Sequence, residues 1–157
     1  MANFTAEQLD VGRTIYSVGQ SLGVTPLQMR AAFAAAWVES RFKNLNYGDR
    51  DSVGVFQQRP SQGWGTVAQI LDVSYAARKF FEEAKRVSQS GTAGNLAQRV
   101  QRSGFPSRYD EQIATADDML AQVSGGVPLN VSPVSLLGGN TIYYMFGFLL
   151  FVLLIDD

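Results

Sequence analysis

The chain has no cysteine and no histidine among its 157 residues. Lack of cysteine excludes disulfides, thiol nucleophiles and cysteine-ligated zinc. Lack of histidine means that neither a Ser-His-Asp triad nor a Cys-His pair can be built from this chain alone. Carboxylate chemistry on sugars needs neither residue. Charge of one sign is also lacking: 13 Lys and Arg against 14 Asp and Glu leave a net charge of -1. The longest basic clusters are the pairs Arg78-Lys79 and Lys85-Arg86, so no specific nucleic-acid partner is expected. The opening MANFTAEQLD has no basic region followed by an apolar run, so no secretory signal is expected. Nothing in the sequence calls for a cofactor.

What is present is a 46% hydrophobic composition, enough for one ordinary core plus an extension. The most informative stretch runs from Phe33 to Gly65, FAAAWVESRFKNLNYGDRDSVGVFQQRPSQGWG. It begins as an alanine-rich helix carrying one acid, Glu39, in its last turn. The negative end of the helix dipole and the apolar neighbours Ala35, Ala36, Trp37 and Val38 both disfavour the ionised form. A carboxyl group that keeps its proton near neutral pH suits a general acid. Asp49 and Asp51 read as turn formers. A two-carboxylate hydrolase would want one of them near Glu39, and Asp-x-Asp is half of a calcium loop, but the later acidic ligand is missing. No metal is therefore expected.

In chain order, Thr5 with Gln8 caps a helix that Gly23 ends, and Thr25, Pro26 and Gln28 start the next, through Ser40. The residues 41–60 read as loop with at most a short hairpin. Thr66 with Gln69 caps a short helix, and Asp72 caps a longer one from Tyr75 to Ser88. Ser88 to Asn95 reads as loop, Leu96 to Arg102 as helix, with Gly104, Pro106 and Ser107 breaking it. A last helix is expected from Asp110 to Val123.

Beyond Ser124 the composition shifts. Gly, Pro and Ser mark 124–140 as a linker, and TIYYMFGFLLFVLLI at 141–155 is uncharged and apolar. As a helix this run would span about 22 Å, short of the roughly 30 Å of a bilayer's hydrocarbon. The expectation is a hydrophobic helix serving as a membrane-inserting segment or as an anchor in a protein assembly.

Trp37 to Gly65, with Glu39-Ser40 and Gly54-Val55-Phe56-Gln57, resembles the lysozyme-like superfamily. Within it the stretch is most similar to lytic-transglycosylase-type domains of actinobacterial proteins and their phages, where NYGDRDS and FQQRPSQGWG recur together. Ala97 to Tyr109 resembles the same domains, so the likeness spans about 25–120. It implies a mainly α, lysozyme-like (α+β) fold over 1–123, with a helical lobe and a small loop or hairpin wall enclosing a glycan cleft. It implies Glu39 as the catalytic acid, cleaving the bond between N-acetylmuramic acid and N-acetylglucosamine. Ser40, Tyr47, Gln57, Gln58 and Tyr109 are the candidate substrate-binding residues. Taken without the likeness, Gln57 and Gln58 are surface loop residues, Trp64 is structural, and Tyr47 and Tyr109 fit either role. The expected partners are a peptidoglycan strand and, through 141–155, other virion proteins, a second copy or a host membrane. The expected location is a phage tail, acting on the host envelope during infection.

Overall fold

A computed structural model describes residues 2–103, 107–125, 141–146 and 149–154. They fall into two compact units, Met1–Gly126 and Val127–Asp157.

The first unit is mainly helical. Its helices are α1 (Ala6–Ser21), α2 (Pro26–Ser40), α3 (Val67–Ile70), α4 (Val73–Arg86), α5 (Ala93–Gln101), α6 (Arg108–Glu111) and α7 (Ile113–Val123). Reciprocal capping boxes open α1, α2 and α3: Thr5 with Gln8, Thr25 with Gln28, and Thr66 with Gln69. Asp72 caps α4 by accepting from the Ser74 and Tyr75 amides.

Two expected boundaries shift. The loop expected over Ser88 to Asn95 ends at Thr92, which forms a capping box with Asn95 and starts α5 three residues early. The helix expected from Asp110 to Val123 is broken at Gln112 (φ -104, ψ 6), giving α6 and α7. The Gln112 side chain is occupied there, accepting from Trp37 Nε1 at 3.0 Å. Gly104 and Pro106 lie outside the described residues.

α2 is the centre of the unit and packs against α1, α4, α5, α6 and α7. Ala31, Ala32, Ala34, Ala35 and Ala36 are fully buried, and their small side chains let neighbouring helices approach from several directions. Larger groups fill the space between: Phe33, Phe42, Phe56, Phe80, Phe81, Met29 and Met119 are buried, with Phe56 stacked on Phe80 at 4.8 Å. Each contributes roughly 1.5–3 kcal/mol by burial. Arg30 holds Asp117 with two hydrogen bonds of 2.8 and 2.7 Å, fastening α2 to α7. The start of the chain is also fastened: the Ala2 amide donates to Asp118 at 2.7 Å, and Gln122 donates to the Ala2 carbonyl at 3.0 Å.

Between α2 and α3 lies a stretch of loop that carries one short 3-10 helix, Pro60–Gln62, and whose hairpin character among the described residues is limited to one antiparallel bridge, Val53 with Gln58. It starts with two consecutive left-handed residues, Arg41 (φ 55) and Phe42 (φ 57). The turn stops α2 immediately after Glu39 and Ser40 and sends the Phe42 ring into the core against Phe33.

In the second unit the described residues of 141–155 form strands rather than the expected hydrophobic helix. The described part is an antiparallel hairpin, β1 (Thr141–Phe146) and β2 (Leu149–Leu154), in register from Thr141↔Leu154 to Phe146↔Leu149. Ile142, Tyr143, Tyr144, Phe146, Phe151 and Val152 are β-branched or aromatic, and Gly147 interrupts the run where a helix would need continuity. Among the described residues no helix is long and apolar enough to cross a membrane. Most of the linker expected at 124–140 lies outside the described residues.

Candidate active site

Glu39 sits in the last turn of α2, mostly withdrawn from solvent. Tyr109 on α6 donates its hydroxyl hydrogen to Glu39 Oε1 at 2.6 Å. These residues are 70 positions apart, and the short contact joins the two stretches singled out in the sequence. Burial pushes the Glu39 carboxyl above the ordinary carboxylate range. The Tyr109 hydrogen bond, the positive charge of Arg108 and the Gln101 amide pull the other way. The Tyr109 hydroxyl is itself pushed well above its usual range, by burial and by the charge of Glu39, so it stays a donor.

Several bonds hold this pair in place. Asp110, next to Tyr109, accepts from the Gly94 amide at 3.1 Å, Thr92 Oγ1 at 2.9 Å and Asn95 Nδ2 at 3.2 Å. It thereby caps the start of α5 from outside and pins α6. Gly94 is required there, because a Cβ would overlap the Asp110 carboxylate and lie 2.6 Å from its backbone nitrogen. On the other side, Gln101 Nε2 donates to the Phe56 carbonyl at 2.7 Å. Ser40 Oγ donates to the neighbouring Val55 carbonyl, also at 2.7 Å. The Val55-Phe56 strip is thus tied both to α5 and to the end of α2.

The expected site residues separate. Glu39 and Tyr109 are brought together. Ser40 is 6% exposed, and its hydroxyl is bonded to the Val55 carbonyl, where it braces the loop. Gln58 is 2% exposed, with its amide directed at the Ala76 carbonyl rather than lying at the loop surface. Gln57 (φ 48) is half-buried and donates to the carbonyls of Gly54 and Tyr47, at 3.1 and 3.2 Å, folding its amide back on the loop. Tyr47 is 67% exposed, and its described bond is that backbone contact with Gln57. Asp51 accepts from Arg59 Nε at 2.6 Å and from the Ser61 amide at 2.8 Å. These bonds hold its carboxyl far below the usual range. It is a loop fastener rather than a proton carrier. Asp49 is exposed, with Arg50 at 3.9 Å.

Gln101 and Arg108 are the residues missed as individuals, although both lie in the Ala97–Tyr109 motif. Their signal was positional: both lie inside the stretch that the likeness marked. Among the described residues no group of three or more Asp or Glu is placed to hold a metal ion.

Past Gln101 lies an open groove of about 440 Å³. One wall is Gln62, Gly63 and Trp64, the second is the α4 stripe Lys79, Glu82, Glu83 and Arg86, and the third is Val100, Gln101 and Arg102. No protein-family model matches the chain, and no curated protein matches it.

Proposed function

We propose that the chain is a peptidoglycan glycosidase with a lysozyme-like fold, of the lytic transglycosylase type, and that Glu39 is its acid and base. The observation that carries this reading is the half-buried Glu39 carboxyl with the Tyr109 hydroxyl 2.6 Å away. Burial favours the protonated form of Glu39, the form that can give a proton to a substrate oxygen. Glu39 gives that proton to the oxygen between N-acetylmuramic acid and N-acetylglucosamine as the C1–O bond breaks. The carboxylate that forms is received by the Tyr109 donor, the Arg108 charge and the Gln101 amide. It then takes the proton of the muramic acid 6-hydroxyl as that oxygen closes on C1, giving a 1,6-anhydro sugar and returning Glu39 to its starting state.

One carboxylate suffices for this cycle, and the engagement of Asp51 with Arg59 and Ser61 favours it over a two-carboxylate muramidase. The resemblance to domains of actinobacterial phages supports a place in a phage tail, opening the host wall during DNA ejection. A structural or pore-forming tail protein is the second reading, favoured by the apolar hairpin at 141–154.

The test is mass spectrometry of soluble products from actinobacterial peptidoglycan treated with the full chain and with Glu39→Gln. Anhydro-muropeptides from the unmutated chain alone are expected. Reducing muropeptides would make it a muramidase, and products made equally by both proteins would remove Glu39 from the chemistry.

A further inference from the structure

We infer that Ser103 is a positioning residue for the acid, acting on Glu39 through the Tyr109 hydroxyl. This role rests on the glycosidase reading. The end of α5 brings it about. Gln101 is the last residue of that helix, and Arg102 follows in the left-handed region (φ 51), where a residue with a Cβ seldom lies. The turn is held from both sides by Gln98. Its carbonyl accepts from the Arg102 amide at 2.8 Å, and its side-chain amide donates to the Ser103 carbonyl. The Arg102 guanidinium reaches Glu83 on α4 at 3.2 Å. So fixed, the turn sends the side chains before and after Arg102 to the same place: Gln101 hydrogen-bonds Glu39, and Ser103 hydrogen-bonds the Tyr109 hydroxyl.

The direction of these bonds follows from what a phenol can offer. Tyr109 has one hydroxyl hydrogen, and it goes to Glu39 Oε1 at 2.6 Å. Towards Ser103 the tyrosine oxygen is therefore the acceptor, and the serine hydroxyl donates. Ser103, Tyr109 and Glu39 form a chain of hydrogen bonds that all point at the carboxyl.

Two effects on Glu39 result. The Tyr109 side chain is fully buried, so a lost partner is not replaced from bulk solvent. With its oxygen engaged by Ser103, the hydroxyl hydrogen is left aimed at Glu39. Donation into that oxygen also polarises the tyrosine O–H and makes it a stronger donor. The gain is greatest once Glu39 has given up its proton and become a carboxylate, the stage at which it waits to act as a base. Gln101 reaches Glu39 directly and is tied to the Phe56 carbonyl at 2.7 Å, whereas Ser103 works at one remove.

The experiment follows the Glu39 side-chain carboxyl by carbon-13 NMR in the full chain, its signal identified by its loss in Glu39→Gln. In Ser103→Ala the Glu39 titration should move to higher pH, because the carboxylate loses part of its stabilisation. Ser103→Thr keeps the hydroxyl and should restore it. In a chain already carrying Tyr109→Phe, adding Ser103→Ala should leave the titration where it is. On peptidoglycan, Ser103→Ala should lower kcat roughly threefold to tenfold at unchanged KM, with the alkaline limb displaced to higher pH. Melting curves check that each variant is folded, and Ser103→Cys, similar in size and a weak donor, takes the place of an Ala variant that is not. An unmoved Glu39 titration in the folded variant, or an equal move with and without the Tyr109 hydroxyl, would overturn the role of Ser103. The expected titrations from a chain that releases no product from peptidoglycan would overturn the glycosidase reading instead.

Discussion

In the proposed cycle Glu39 serves as an acid first and a base second, and its surroundings fit both roles. Burial favours the neutral form, whereas Tyr109, Arg108 and Gln101 wait for the charged one. The same balance has a thermodynamic sign. The carboxyl holds its proton more tightly folded than unfolded, so its stabilising contribution is complete below the unfolded value of about 4.3. That contribution is lost as pH rises through the higher folded value. Glu39→Gln keeps the shape and removes the titration, so it should melt above the unmutated protein at pH 7, with the gap closing toward pH 4. Melting curves at the two pH values check this, and a gap independent of pH would contradict it. Tyr109→Phe removes the donor that lowers the Glu39 pKa. The alkaline limb of the activity profile should move to higher pH, and the rate at the optimum should fall about 10- to 100-fold. An unmoved alkaline limb would mean that the hydroxyl does not act through Glu39.

At the scale of elements, α6 is one turn long and cannot hold its own position. It is held by Asp110 on the start of α5 and by the Gln112 break before α7. Gly94→Ala should push α6 off α5 and carry Tyr109 with it. The expected cost is about 1–3 kcal/mol of stability and at least a tenfold loss of rate, with the pH profile moving as in Tyr109→Phe. A loss of stability with an unmoved pH profile would show that the latch is only structural. The latch also shows where the sequence was legible. Helix starts announced by Thr and Gln three apart were readable, because a capping box is a local arrangement of side chain and backbone. The start of α5 was missed, because Asn95 replaces the usual Gln or Glu and the cap is completed by Asp110 from far along the chain. Glu39 and Tyr109 were singled out through their motifs, and their contact followed from the fold. The inward turn of Ser40 and Gln58 was not legible, since it depends on where Val55 and Ala76 lie in space.

For the molecule as a whole, the first unit contains a core of its own around α2. A chain ending at Gly126 should keep the main thermal transition within a few degrees and retain its activity on wall fragments, as calorimetry and product analysis would show. Loss of the cooperative transition would mean that the fold draws on 127–157. The hairpin of the second unit has two strands of six residues, and among the described residues no further strand pairs with either edge. Unpaired, strongly apolar edges invite association with other chains. The clamp of Ala2 between Asp118 and Gln122 has a different consequence. It brings the entry of the first unit beside its exit, since α7 ends at Val123. A unit with adjoining ends works as a cassette: it can be carried within a longer polypeptide, or permuted by joining those ends, with the route through its interior unchanged.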